Sequence, residues 1–200
     1  VQGGTKTSIS LDALLIERAI GQDYTPRLTH RLDSQTTGII VFAKTREMAR
    51  WITGLFRARQ VHKVYWAITV GGPGKPEGEM TSSLGKLTGA GREKMSSQAQ
   101  DTKPAQTHFK IIDTHNGLHW LELTPLTGRT HQLRVHCAEE GFPILGDGKY
   151  GGKLAHPLPA RTPLCLHARY LSLDMPEGNA LTFEASLPDY MEKLAPESLR

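Results

Sequence analysis

The dipeptide Asn116-Gly117 stands between two apolar runs, Phe109 to Ile112 and Leu118 to Leu123. Asn-Gly accepts the positive φ values of a tight two-residue turn, so this stretch predicts an antiparallel β-hairpin. Other segments join it. Thr37 to Lys44 (TGIIVFAK) is a short apolar run and reads as a buried strand, and Val64 to Val70 (VYWAITV) is rich in aromatic and β-branched residues. Leu181, Phe183, Ala185 and Leu187 alternate with polar residues as a half-buried strand would. Helices are fewer. Ser10 precedes an apolar pattern at Leu11, Leu14, Leu15 and Ala19. Thr45 precedes a stripe of Met48, Ala49, Ile52, Leu55 and Phe56, with Arg46, Arg50 and Arg57 on the opposite face. Thr130 is positioned to cap a third helix, which ends at Gly141 with Pro143 beyond. Residues 71–79 (GGPGKPEGE) form a turn cluster, and polar residues 84–107 are expected to be a mobile or weakly structured insertion. Strands outnumber helices and often follow one another directly. The expected class is therefore α+β with a mostly antiparallel sheet.

The 200 residues suffice for one sizeable domain. Hydrophobic residues at 38% and charged residues at 22% argue against global disorder. No run approaches the ~20 apolar residues of a membrane helix. Two cysteines, Cys137 and Cys165, make neither a disulfide framework nor a cysteine-rich zinc site, which points to a reducing compartment. VQGGTKTSIS lacks the order of a secretory signal, and its abrupt start is read as an N-terminally incomplete domain. The formal net charge is +4, unevenly spread: residues 27–63 carry +6 and residues 174–200 carry −4. A basic patch beside an acidic remainder suits a polyanionic partner, or is simply a solvated helix face.

Three segments are unlike packing sequence. His30-Arg31-Leu32-Asp33-Ser34-Gln35-Thr36-Thr37-Gly38 reads either as an active-site loop presenting Asp33 or as a turn in which Asp33 caps local N–H groups. Thr127-Gly128-Arg129-Thr130-His131-Gln132-Leu133-Arg134-Val135-His136 leads into a helix, with Arg129 and Arg134 serving phosphate or pairing with a buried carboxylate. His131 and His136 lack the i, i+4 spacing of metal ligands and there is no HExxH, so no metal is expected and the histidines read as hydrogen-bonding partners. Pro143 to Gly151 (PILGDGKYG) is a Gly-rich turn without a Walker or GxGxxG pattern.

Together these segments resemble the RluA-type pseudouridine synthases. HRLDSQTTG is similar to that family's HRLDxxTSG, and Lys63 to Ala67 to its KxYxA. TGRTHQLRVH, PILGDGKYG and Leu166-His167-Ala168 with Leu171 follow in the family's order, over about residues 2 to 190. The wording is most similar to the branch acting on large-subunit ribosomal RNA, including alphaproteobacterial and mitochondrial members. Thr37 replaces the usual Ser, Gln35 replaces a common charge, and no S4-type module is seen.

The resemblance implies a pseudouridine synthase catalytic domain over residues 1–200, with a bent, mixed sheet and a central cleft. It implies isomerisation of uridine to pseudouridine in RNA without a cofactor. Asp33 carries over as the essential carboxylate, either attacking ribose C1′ or removing a 2′ proton. Arg134 carries over as its guanidinium partner. Tyr65 carries over as the ring on the uracil, where residue chemistry alone suggests a core aromatic. Leu166 carries over as an apolar wall and Arg31 as the side chain that fills the gap left by a flipped base. His30 joins Arg31 in the expected RNA contacts. Arg129 binds phosphate or braces a loop, and Lys149 and Tyr150 are RNA contacts or turn residues. Arg46, Arg50 and Arg57 are expected to hold the RNA backbone. Expected partners are RNA and pre-ribosomal particles, not a membrane, and a monomer is the default. The expected compartment is a bacterial cytoplasm or a mitochondrial matrix. The rival is a non-catalytic RNA-binding assembly factor on the same fold. A glycoside hydrolase needs a second carboxylate that the motifs lack.

Overall fold

The computed structural model describes residues 11–89, 92–158, 161–175 and 177–199. Its elements are α1 (Leu11–Arg18), β1 (Arg27–Leu28), β2 (Thr37–Gly38), β3 (Phe42–Ala43), α2 (Arg46–Ala58), β4 (Val61–Val70) and β5 (Glu77–Gly89). There follow β6 (Arg92–Ser96), β7 (Thr102–His115), β8 (Leu118–Pro125), α3 (Gln132–Glu139), β9 (Leu166–Asp174), β10 (Ala180–Glu184) and α4 (Asp189–Glu192). One sheet runs β10-β9-β4-β8-β7-β5-β6, antiparallel throughout, and β2 adds a parallel pairing to β9. The mixed, mainly antiparallel α+β class is as expected.

The expected hairpin is β7–β8. Asn116 at φ 51° and Gly117 at φ 73° supply the two positive values of its turn. Trp120, Leu121 and Leu123 of β8 are fully buried with Ala67 and Ile68 of β4 and with Ile144 and Leu145. Thr45 caps α2, its hydroxyl accepting the Met48 N–H at 3.1 Å. Ile52, Ala49, Leu55 and Phe56 then pack against Ala43, Val61, Leu171 and Leu173. This leaves Arg46, Arg50 and Arg57 on the exposed face.

Four expectations need amendment. Thr37 to Lys44 is not one buried strand: it divides into β2 and β3, and residues 39–42 are only half-buried. Gly38 causes the break. It sits at φ +105°, and a Cβ there would overlap the Ala168 carbonyl of β9. Residues 84–107, expected to be mobile or weakly structured, lie in β5, β6 and β7 wherever described, apart from the turn at 97–101, with Gly85 opposite both Ser96 and Thr102. Leu84 and Ala105 anchor this polar ribbon by packing on Val135 of α3. Thr130 does not cap α3. His131 does, in a left-handed conformation without a side-chain cap bond. In the C-terminal strand, Leu181 is 42% exposed, because β10 lies at a sheet edge. Ser10 lies outside the described residues. No helix among the described residues is long and apolar enough to cross a membrane.

Candidate active site

The 29–36 segment is pinned at both ends. Thr29 Oγ1 donates to the Val41 carbonyl at 2.6 Å, and the Val41 N–H donates to His30 Nε2 at 2.9 Å. The His30 ring stacks on Phe56 of α2, centroids 4.5 Å apart. At the other end β2 pairs with β9, and Thr37 Oγ1 lies 2.9 Å from His167 Nδ1. Between these anchors the Asp33 carbonyl accepts the Thr36 N–H at 2.9 Å. The turn is thus closed by backbone, and the half-buried Asp33 carboxylate faces His131, 3.9 Å from its Nε2.

A cleft of about 340 Å³ opens beside this loop, within the usual size range of ligand sites. Asp33, His30, Arg31, Tyr65, Arg129, Arg134 and Leu166, seven residues singled out in the sequence, all line it. Arg59, Lys63 and Phe56 line it too. Asp33 is the one carboxylate among its described lining residues, against five Lys and Arg side chains. Arg46, Arg50 and Arg57 lie elsewhere. Arg50 and Arg57 flank a shallow depression on α2, and Arg46 lies near Arg27 and Lys44.

Tyr65 sits on β4 at a register shift, opposite Leu123 on one side and Ala168 on the other. Burial, reinforced by the Asp33 charge, pushes its phenol up to about 12. It therefore keeps its proton at neutral pH and is available as a hydrogen-bond donor. His30 is pulled the other way: burial and the Lys63 charge bring it down to about 4. It is neutral, and its Nε2 is committed to the Val41 N–H, so it holds the loop rather than offering that nitrogen to a ligand.

Arg134 differs from expectation. It does not pair with Asp33. Its Nε donates to Asp147 Oδ2 at 2.9 Å and its Nη2 to Oδ1 at 2.7 Å, with both side chains buried. Asp147 also accepts the N–H groups of Lys149 and Tyr150, each at 3.0 Å. Four donors thus satisfy this buried carboxylate. Burial opposes the Arg134 charge, but Asp147, with the added field of Asp33, lifts the guanidinium above its ordinary range. Of the alternatives the sequence left open, a buried carboxylate partner is the one found.

His131 continues this network. Its Nδ1 lies 2.6 Å from the Tyr150 hydroxyl, which accepts the Met95 N–H at 3.2 Å. The direction of the His131–Tyr150 bond follows the imidazole tautomer; with Nδ1 as acceptor, the Nε2–H is turned toward Asp33. Burial lowers the imidazole's affinity for a second proton, against the pull of Asp33. Arg129 donates from Nε to the Pro104 carbonyl at 3.0 Å, bracing its turn on β7. Gln132 Oε1 accepts from the Arg129 N–H at 3.0 Å and the Thr127 hydroxyl at 2.7 Å. His136 lies 3.0 Å from both the Thr107 and the Ser82 hydroxyls. Burial pushes the Cys165 thiol to about 12 and the Cys137 thiol higher still, so neither is a nucleophile. No group of three or more potential metal ligands occurs among the described residues. Asp147 escaped the sequence reading. Its one local signal is an acid inside a Gly-rich turn, able to accept the N–H groups that follow it.

The family model for RNA pseudouridylate synthase matches residues 2–139. "Ribosomal large subunit pseudouridine synthase C" of Rickettsia conorii is 37% identical over 195 residues, which are 96% of this chain and 63% of that protein. "RNA pseudouridine synthase 3, mitochondrial" of Arabidopsis thaliana is 35% identical over 175 residues, 76% of this chain and 37% of that protein. The chain thus spans less than two thirds of the length of either relative. Among solved structures, human RNA pseudouridylate synthase domain containing 4 aligns with a TM-score of 0.77 at 29% identity. That alignment covers 93% of this chain and 82% of the human one. The α+β architecture, the ordered motifs and these matches agree: the chain belongs to the RNA pseudouridylate synthase family.

Proposed function

We propose that the chain isomerises uridine to pseudouridine in RNA, with large-subunit ribosomal RNA as substrate and Asp33 as the essential carboxylate. The observation that carries this is the cleft itself, where Asp33, the one carboxylate among the described lining residues, shares a cationic wall with Tyr65. The reaction breaks the N1–C1′ bond and makes a C5–C1′ bond. The proton lost from C5 is matched by one gained at N1, so the atoms balance without a co-reactant. As the glycosidic bond breaks, positive charge builds on the sugar, and a carboxylate at C1′ or at the 2′ proton stabilises it. Tyr65 and Leu166 form the walls that hold the detached uracil while it turns, and the Tyr65 O–H donates to it. Arg134, fixed by Asp147, supplies a permanent positive charge behind Asp33. Arg31, exposed at the cleft, stacks into the space the flipped base leaves.

The substrate class rests on the Rickettsia relative, whose name specifies the large ribosomal subunit. The chain acts as a monomer, on free RNA or pre-ribosomal particles, in a bacterial cytoplasm or a mitochondrial matrix. The test is incubation of pseudouridine-free ribosomal RNA with wild type and with Asp33→Asn. Carbodiimide-dependent primer extension then maps the product. A new site with wild type that is absent with Asp33→Asn is expected. RNA binding by both with modification by neither refutes the catalytic reading.

A further inference from the structure

A second cavity, of about 660 Å³, has Gln35 of the Asp33 loop in its lining. This cavity and the cleft share no lining residue but share the Asp33 loop, Gln35 lying two residues from Asp33; Lys149 lies two residues from Asp147, the partner of the cleft residue Arg134. Lys94, Lys149, His156 and Arg161 line this second cavity, and no carboxylate does so among its described residues. The cations come from three separate segments: β6, the Gly-rich turn, and the stretch before β9.

Its floor is rigid backbone. Gly146 sits at φ +80°, where a Cβ would overlap the Pro163 carbonyl, so only glycine lets the turn lie against residues 162–163. The Gly146 N–H donates to the Ala155 carbonyl at 2.8 Å, and the Cys165 N–H to the Leu145 carbonyl at 2.9 Å. Asp147 fixes the Lys149 backbone by accepting its N–H. On the β6 side, Tyr150 holds the Met95 N–H, next to Lys94. Lys94 and Arg161 bring exposed positive charge to this floor, which favours an anion in the space they line. The Lys149 charge also reaches the active site, where it disfavours protonation of His131.

We propose that this cavity is a second RNA subsite, taking backbone phosphates of the strand that runs on from the nucleotide at Asp33. This rests on the pseudouridine synthase reading. The cavity grips charge and not base identity, so it sets affinity and register rather than sequence preference.

The test uses the full chain carrying Asp33→Asn and, as probe, transcribed large-subunit ribosomal RNA, with affinity measured against salt. Lys94→Gln/Arg161→Gln removes two cations from the exposed rim. The log–log salt slope should become shallower by about 1.4, or ~25-fold weaker binding at 0.1 M salt if affinities converge near 1 M. Lys94→Arg/Arg161→Lys should restore the slope. Lys110→Gln/Lys193→Gln, at exposed positions outside both cavities, should leave it unchanged. An unchanged slope in Lys94→Gln/Arg161→Gln overturns the subsite, as does an equal fall in the Lys110/Lys193 control. Pseudouridine formation by wild type is scored separately, so failure of the subsite and failure of the enzymatic reading are distinguishable.

Discussion

Replacing Arg134 by Met should unfold this protein at markedly lower denaturant. The side chain is 3% exposed and its partner Asp147 1%. Arg134→Met deletes two charge-assisted hydrogen bonds, of 2.9 and 2.7 Å, and leaves Asp147 with two backbone donors. At about 1.5–3 kcal/mol for each bond, and about 3–5 kcal/mol for breaking a buried pair, the loss should be ~4 kcal/mol. For a domain of this size that lowers Tm by roughly 8–16 °C. Arg134→Lys keeps the charge but not the two-pronged geometry and should lose about half as much. Asp147→Asn keeps the shape and one acceptor oxygen but removes the counter-charge and the second bond, so it should approach Arg134→Met. Urea titration followed by near-UV circular dichroism gives all three values. Activity is then assayed at a temperature where each variant is folded, which separates lost chemistry from lost structure. If Arg134→Met lies within about 1 kcal/mol of wild type, or Lys and Met cost the same, the bidentate pair is not what holds this site.

Four further outcomes follow from the same geometry. Asp33→Asn should leave the urea midpoint within about 1 kcal/mol of wild type, since the side chain is half-buried, while pseudouridine formation is lost. His30 is held neutral with its pKa brought down to about 4, so the unfolded chain binds the proton first as pH falls. Its contribution, about 3 kcal/mol, is full above pH ~6.5 and disappears toward pH 4. Urea midpoints for wild type and His30→Leu across that range should show a flatter profile for the variant, and parallel profiles would refute the assignment. Gly38→Ala, at φ +105° and against the Ala168 carbonyl, should cost at least about 2 kcal/mol and impair catalysis, because the same strand anchors the Asp33 loop. Arg46→Gln/Arg50→Gln/Arg57→Gln should make the RNA-binding salt slope shallower by about 2 without shifting Tm; an unchanged slope would remove α2 from the RNA surface.

Local physics settled much of this molecule. Asn116-Gly117 required a hairpin because both residues accept positive φ. Thr45 and the apolar spacing of residues 48–56 defined α2 because capping and a 3.6-residue period act within a few turns. The motifs also named the cleft: each of the seven residues drawn from them lines it. What the tertiary structure decided were partners distant along the chain. Arg134 finds Asp147, 13 residues away, and Thr37 meets His167, 130 residues away. Neither choice is encoded in spacing, because each depends on where a strand or turn lands after the sheet assembles. Residues 84–107 read as loose because their polar side chains match a solvated ribbon as well as a loop. Only the ladder to β7 and the packing of Leu84 and Ala105 on Val135 distinguish the two. The apolar run 37–44 read as one strand because hydrophobicity does not register a steric break, and Gly38 supplies that break only once Ala168 lies against it. Seven of the candidate residues that the motifs singled out meet in one cleft. The sheet decided which charge faces which, since the strength of a buried ion pair depends on geometry and dielectric that exist only in the folded chain.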